Sequence, residues 1–309
     1  MQKINGYIRL ARVDHWFKNV FCLPGIILAY YMTSFELHAN LFLTIICGLF
    51  ITCLTASANY TINEILDARY DKLHPEKHNR PFPSGQVKIP WAMLQYVLLS
   101  IISIVFAWFI NTSFFFGIIV FWLMGLIYNV PPIRTKDLPY VDALSESINN
   151  PIRLLLGWWL IAPSAVAPLS ILTAYWMLGA YFMSLKRYAE YRFINDPIRL
   201  SQYRKSFGHT NEKRLLLISV VYGNICCLMS GIFLCKFRVE LIFAFPFIAL
   251  LLGYYLAIAM KPNSPVQHPE NLYKEKKLLF CILATVILFT ILLSVDMPWL
   301  YNFFDVVRQ

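Results

Sequence analysis

Nine stretches run apolar long enough to cross the ~30 Å core of a bilayer as helices: residues 19–33, 40–62, 90–110, 113–130, 141–162, 168–186, 213–235, 239–260 and 277–295. Polar residues gather between them, with one exception. In the fifth stretch Asp142, Glu146, Asn149 or Asn150, and Arg153 recur at i, i+4, i+7 or i+8, and i+11, a stripe on one helical face. Facing lipid, such a stripe is prohibitively costly, so it must line the inside of a bundle. A ligand site and a structural network joining Arg153 to Glu146 or Asn149 both satisfy that requirement. The pattern predicts an all-α membrane protein of nine transmembrane helices, a single polytopic domain over residues 1–309.

Composition agrees with that class. The chain is 58% hydrophobic and 14% charged, where a soluble domain is nearer ~45–50% apolar. A net charge of +10 in a soluble protein suggests nucleic acid, but here the basic residues are placed by topology. Of 27 Lys and Arg, only Lys236, Arg238 and Arg308 fall on one side and Arg153 within a span. The rest crowd the other side, so the N-terminus and the long loops are expected to be cytoplasmic and the C-terminus opposite, in an inner membrane. Lys3, Arg9, Arg12 and Lys18 precede the first span without a cleavable apolar signal, which makes that span the expected targeting element. Seven cysteines show no C-x-x-C spacing, so neither a zinc site nor a disulfide framework is expected.

The candidate chemistry starts where the second span ends, at Asn63-Glu64-Ile65-Leu66-Asp67-Ala68-Arg69-Tyr70-Asp71. On a helix Asn63, Asp67 and Asp71 project from one face. Crowded acids near a bilayer need a compensating cation, and hard oxygen ligands favour Mg²⁺ held between carboxylates and substrate phosphates. Asn63, Glu64, Asp67 and Asp71 are therefore the expected metal ligands. A solvated helix end, its acids paired with Arg69 and Lys72, is the plainer reading. In the Pro- and Gly-broken loop that follows, Lys77 and Arg80 are placed to meet phosphate oxygens or to serve as topological charges. Before the first span, Trp16 reads as an interfacial anchor, and Lys18 with Asn19 as a pair able to reach a polar chamber. The sixth span ends with Lys186 and Glu190, and Arg187 and Glu190, sharing faces. Tyr128 and Lys136, near the end of the fourth span, arrive at the same depth.

Together these residues resemble the UbiA superfamily of intramembrane transferases. Its first aspartate motif, N-[DE]-x-x-D-x-x-x-D, is matched by Asn63, Glu64, Asp67 and Asp71, with Arg80-Pro81 and Gly85 following at the usual place. The second motif, D-x-x-x-D, is replaced by Lys186-Arg187-Tyr188-Ala189-Glu190. The variant looks like the branch that moves phosphoribose. It shares W-x-K-N (Trp16, Lys18, Asn19), D-x-x-H-P-x-K-x-x-R-P (Asp71 to Pro81), an Asp and an internal Arg in the fifth helix (Asp142, Arg153), R-Y-A-E (Arg187 to Glu190) and Y-R-x-S (Tyr203, Arg204, Ser206). The resemblance implies a nine-helix bundle around a central polar cavity open to the cytoplasm. It also implies Mg²⁺-dependent transfer of 5-phosphoribose from 5-phosphoribosyl-1-diphosphate to a polyprenyl phosphate, with release of pyrophosphate. On that reading Lys18, Lys77, Arg80, Tyr128, Lys136, Lys186, Arg187 and Glu190 serve the phosphates, and Asp142, Glu146 and Arg153 position the ribose or the acceptor. Two alternatives stand beside it: a prenyltransferase of the same fold and, more remotely, a cation-coupled transporter.

Overall fold

In the computed structural model the described residues, 2–33 and 40–304, form helices and turns and no strand. The Lys3 side chain, the connection at 34–39 and Arg308 lie outside that set. The helices are α1 Gln2–Leu10, α2 Leu23–Met32, α3 Leu41–Asp71, α4 Ile89–Trp108, α5 Thr112–Asn129, α6 Val141–Ser147, α7 Asn149–Trp159, α8 Leu169–Ile194, α9 Pro197–Tyr203, α10 Glu212–Phe237, α11 Phe245–Ala259, α12 Lys276–Ser294 and α13 Pro298–Phe303. A 3-10 stretch, Val13–Cys22, leads into α2, and another, Val239–Ala244, into α11.

Helical segments occur at all nine apolar stretches, but among the described residues six are long and apolar enough to cross a membrane: Leu41–Asp71, Ile89–Trp108, Thr112–Asn129, Glu212–Phe237, Val239–Ala259 and Lys276–Ser294. The other three differ for local reasons. The first is split between a 3-10 stretch and the short α2. In α8 the Ser, Thr, Tyr and Trp content dilutes the apolar character. The fifth breaks at Ile148 into α6 and α7. Pro151 has no N–H to give the Ser147 carbonyl, so the helical ladder is interrupted where a continuous helix over 141–162 was expected. By contrast, α3 is longer than its predicted span, and its 31 residues carry the acidic motif on the same rod as the apolar run.

The chain packs as two compact units. The first comprises residues 1–167 and 194–210, with α3 packed against α4 and α5 and with α2 against α7. Ile51, Phe114, Phe121 and Leu156 form its buried core. Amide side chains tie it across helices: Asn59 donates to the Phe121 carbonyl at 2.9 Å, and Asn111 caps α5 while donating to the Trp159 carbonyl at 2.9 Å. The second unit comprises residues 168–193 and 211–309. There the fully buried Glu240 accepts from Met297 N and Tyr301 OH, both at 3.2 Å, which fixes α13. All seven cysteines are free thiols.

Candidate active site

The acidic motif occupies the last turns of α3, in the first unit. Asp67 Oδ1 accepts from Arg134 Nη2 at 2.8 Å and Lys136 Nζ at 2.5 Å. Both cations come from the connection between α5 and α6. Lys136 also donates to Asn129 Oδ1 at 2.8 Å, and burial pushes its ammonium down to about 8 against the pull of Asp67. Arg134 lies 5.0 Å from the Tyr70 ring centroid, and its backbone holds a positive φ of 28°, a local strain of the kind found at functional sites. Asp71 Oδ2 accepts from Arg80 Nη1 at 2.6 Å. The plainer reading paired the acids with Arg69 and Lys72; the partners are instead Arg80, Arg134 and Lys136.

Glu64 has a different place from the one expected of a ligand. Its side chain is 1% exposed, and both oxygens are engaged, by Arg12 Nη2 and by the Phe82 backbone N–H, each at 3.1 Å. It therefore ties the N-terminal segment and the Arg80-Pro81-Phe82 loop to α3. Glu64→Gln keeps the shape but removes the charge opposite Arg12, so it should cost about 1–3 kcal/mol of stability and leave turnover of the folded fraction near normal. Thermal unfolding of the purified variant, with its specific activity, checks this.

A second network lies in the same unit. Arg204 Nη2 reaches Asp142 Oδ2 at 3.2 Å and donates to Tyr128 OH at 2.9 Å, while Tyr128 OH donates to Glu146 Oε2 at 2.8 Å. Ser206 Oγ accepts from Arg204 Nε at 3.1 Å and reaches Asp142 Oδ2 at 3.4 Å. Lys77 Nζ donates to Tyr203 OH and lies 4.8 Å from that ring's centroid. The segment after α8 thus returns Tyr203, Arg204 and Ser206 to the first unit. Arg153 stands apart from this network. It meets neither Glu146 nor the Asn149 side chain: Nε donates to Asn19 Oδ1 at 2.9 Å and Nη1 to the Asn149 carbonyl at 3.5 Å. The ammonium of Lys18 lies 5.8 Å from the Tyr60 ring centroid. Lys186, Arg187 and Glu190 belong to the second unit, where the buried Arg187 and Glu190 pair at 3.2 Å.

Arg134, Arg204 and Tyr203 were not singled out as site residues from sequence. The available signals were the Arg-x-Lys spacing of Arg134 with Lys136 and the Y-R-x-S segment itself.

For a divalent metal, the donors present fit in part. Asn63 Oδ1 is buried and has no hydrogen-bond partner, and Asp67 and Asp71 each keep one oxygen outside the ion pairs above. Three hard oxygens on one helix face suit Mg²⁺ completed by substrate phosphates. Glu64 is not free to join them, and among the described residues no group of three or more His, Cys, Asp or Glu is preassembled.

Six membrane-crossing candidates, and a charged site at the end of one of them, define a multi-pass membrane protein of all-helical build. The sequence pattern of the UbiA prenyltransferase family matches residues 20–280, and the chain belongs to that family. A UbiA homolog from Archaeoglobus fulgidus, solved bound to GPP and Mg²⁺, has the same fold, with a TM-score of 0.69 at 20% identity over 94% of this chain and 100% of that one. Among curated relatives, a decaprenyl-phosphate phosphoribosyltransferase of Corynebacterium glutamicum is 27% identical over 195 residues, 60% of this chain and 54% of that protein. A digeranylgeranylglyceryl phosphate synthase of Sulfurisphaera tokodaii is 29% identical over 94 residues, 30% of this chain and 33% of that protein. The chain thus matches about half the length of the first and a third of the second.

Proposed function

We propose that this protein transfers 5-phosphoribose from 5-phosphoribosyl-1-diphosphate to a polyprenyl phosphate at the cytoplasmic face of an inner membrane, within a nine-helix bundle whose polar cavity opens to the cytoplasm. The observation that carries this reading is the end of α8. Where prenyl-transferring members would place two aspartates for a second metal-diphosphate contact, this chain has Arg187 buried and paired with Glu190. The similarity to the C. glutamicum phosphoribosyltransferase supports the same choice.

Asn63, Asp67 and Asp71 would hold Mg²⁺, which supplies positive charge to the departing pyrophosphate. Arg80, Arg134 and Lys136, which neutralise the aspartates in the free protein, turn to the phosphates as the donor enters. Charge-assisted bonds to carboxylate and to phosphate are similar in strength, so that exchange is close to balanced. The Asp142, Glu146, Tyr128 and Arg204 network orients the ribose hydroxyls. An anionic phosphate oxygen of the acceptor attacks C1, the bond from C1 to the diphosphate oxygen breaks, and pyrophosphate leaves. No protein base is required, because the attacking oxygen already carries the charge.

The family's prenyl chemistry and the S. tokodaii relative favour a second reading, transfer of a prenyl group from its diphosphate. Incubation of the purified protein with labelled 5-phosphoribosyl-1-diphosphate and polyprenyl phosphate, against labelled prenyl diphosphate with 4-hydroxybenzoate, separates the two. A phosphoribosylated lipid is the expected product. A prenylated aromatic product would replace this reading with the second.

A further inference from the structure

We propose that the groove between α1 and α4 binds an anionic phospholipid of the surrounding bilayer, its phosphate at Lys88 and one acyl chain along Leu94 and Leu98. The inference goes beyond the reaction proposed above and does not depend on it, since the groove uses none of the residues given to donor, metal or acceptor.

The groove lies wholly within the first unit and has a volume of about 600 Å³, inside the range of about 300–1,000 Å³ usual for ligand sites. Its α4 wall follows from spacing. Lys88, Trp91, Gln95 and Leu98 stand at i, i+3, i+7 and i+10, which is one face of a helix. Tyr7 of α1 supplies the facing wall. Its carbonyl accepts from Gln95 Nε2 at 3.1 Å, and its hydroxyl accepts from the Lys88 backbone N–H at 3.2 Å. Buried Leu10, Val87 and Ala92 pack together beside those bonds and hold α1 to the start of α4. At the polar end the groove is closed by Gly85 and Gln86 of the loop after the acidic motif. Gly85 makes that turn with a φ of 77°, which glycine adopts without steric cost.

Charge and depth decide the occupant. The lining holds one cation, Lys88, and no acid, and Lys88 pairs with no carboxylate among the described residues. An anion is therefore the complement. Lys88 stands immediately before Ile89–Trp108, one of the membrane-crossing candidates, and Trp91 is 60% exposed. A lysine at a helix end followed by an exposed tryptophan marks the headgroup level. From Lys88 to Leu98 the helix rises roughly 15 Å, half of the ~30 Å hydrocarbon core, so the apolar wall runs the depth of one leaflet. Leu94 and Leu98 are 44% and 49% exposed along it. A soluble anion would leave those leucines uncovered, whereas a phospholipid brings a phosphate to the lysine and a chain to the leucines in one molecule.

The test is photolabelling of the full-length protein in phosphatidylcholine nanodiscs. Tracers of phosphatidylglycerol or phosphatidylcholine carry a diazirine in the acyl chain, and mass spectrometry maps the labelled peptides. Phosphatidylglycerol should label residues 86–99 about fivefold more than phosphatidylcholine does, the preference that one lysine gives at an anionic headgroup. Unlabelled phosphatidylglycerol should compete for that label. Lys88→Gln should abolish the preference and Lys88→Glu should reverse it, while labelling at the exposed Ile287 of α12 stays as in the parent. Lys88 is itself exposed, so both variants should unfold at the parent temperature. Equal labelling of residues 86–99 by the two lipids, or a preference that survives Lys88→Glu, overturns the proposal. Label displaced by a polyprenyl phosphate and not by phosphatidylglycerol also overturns it and gives the groove to the acceptor. A cross-link from this segment to a second protein chain in place of lipid overturns it as well.

Discussion

Asp67→Asn should lower turnover by about 10²–10³-fold in a protein that still folds, and Asp71→Asn should do the same. The opposing expectation is definite, because both aspartates are neutralised in the structure, Asp67 by Arg134 and Lys136 and Asp71 by Arg80. If those ion pairs only hold the loops to α3, each Asn variant loses stability and its folded fraction works normally. If the aspartates take a metal when the donor arrives, the order of effects reverses: activity collapses, and Mn²⁺ binding in the presence of pyrophosphate, followed by electron paramagnetic resonance, falls with it. Glu64→Gln is the internal comparison, since an acid one residue from Asn63 is expected to show the structural pattern alone. Turnover within tenfold of the parent in both Asp67→Asn and Asp71→Asn, in folded protein, would remove the metal reading.

The elements most legible in the sequence were those set by period and hydropathy. Four-residue spacing puts Asn63, Asp67 and Asp71 on one helix whatever surrounds them, and α3 carries them as expected. Partners were harder to read, because ion pairing is decided by loops that return from far along the chain. Arg134 meets Asp67 across 67 residues, and Arg199 reaches the Leu73 carbonyl across 126. Nothing local to the acidic motif names them. Glu64 illustrates the same limit: pattern assigns it to the motif, while the Phe82 N–H and Arg12 take both its oxygens. The break at Ile148 was legible in principle, since Pro151 removes one donor from the ladder, but the unbroken polar spacing from Asp142 to Arg153 pointed to one helix. Its two halves go to different partners, the outer to Tyr128 and Arg204 and the inner to Asn19.

Gly157→Val should prevent folded protein from accumulating, and Gly157→Ala should lower the unfolding temperature sharply. A Cβ built on Gly157 falls 1.9 Å from the Cys22 carbonyl oxygen, and one on Gly25 falls 1.9 Å from that of Leu154. Both obstacles are backbone, so no rotamer change relieves them, and α7 must move away from α2 and the segment before it. Overpacking typically costs about 1–3 kcal/mol; two facing helices that meet through their backbones leave less room to relax, which places Gly157→Ala at the upper end. Gly231 in α10 and Gly253 in α11 provide the contrast: an added Cβ there meets nothing within 4 Å, and Ala in a helix interior is favoured over Gly by about 0.5–1 kcal/mol. Gly231→Ala and Gly253→Ala should unfold at the parent temperature or above it. If Gly157→Ala melts with them, the close approach of α2 to α7 does not hold in the membrane.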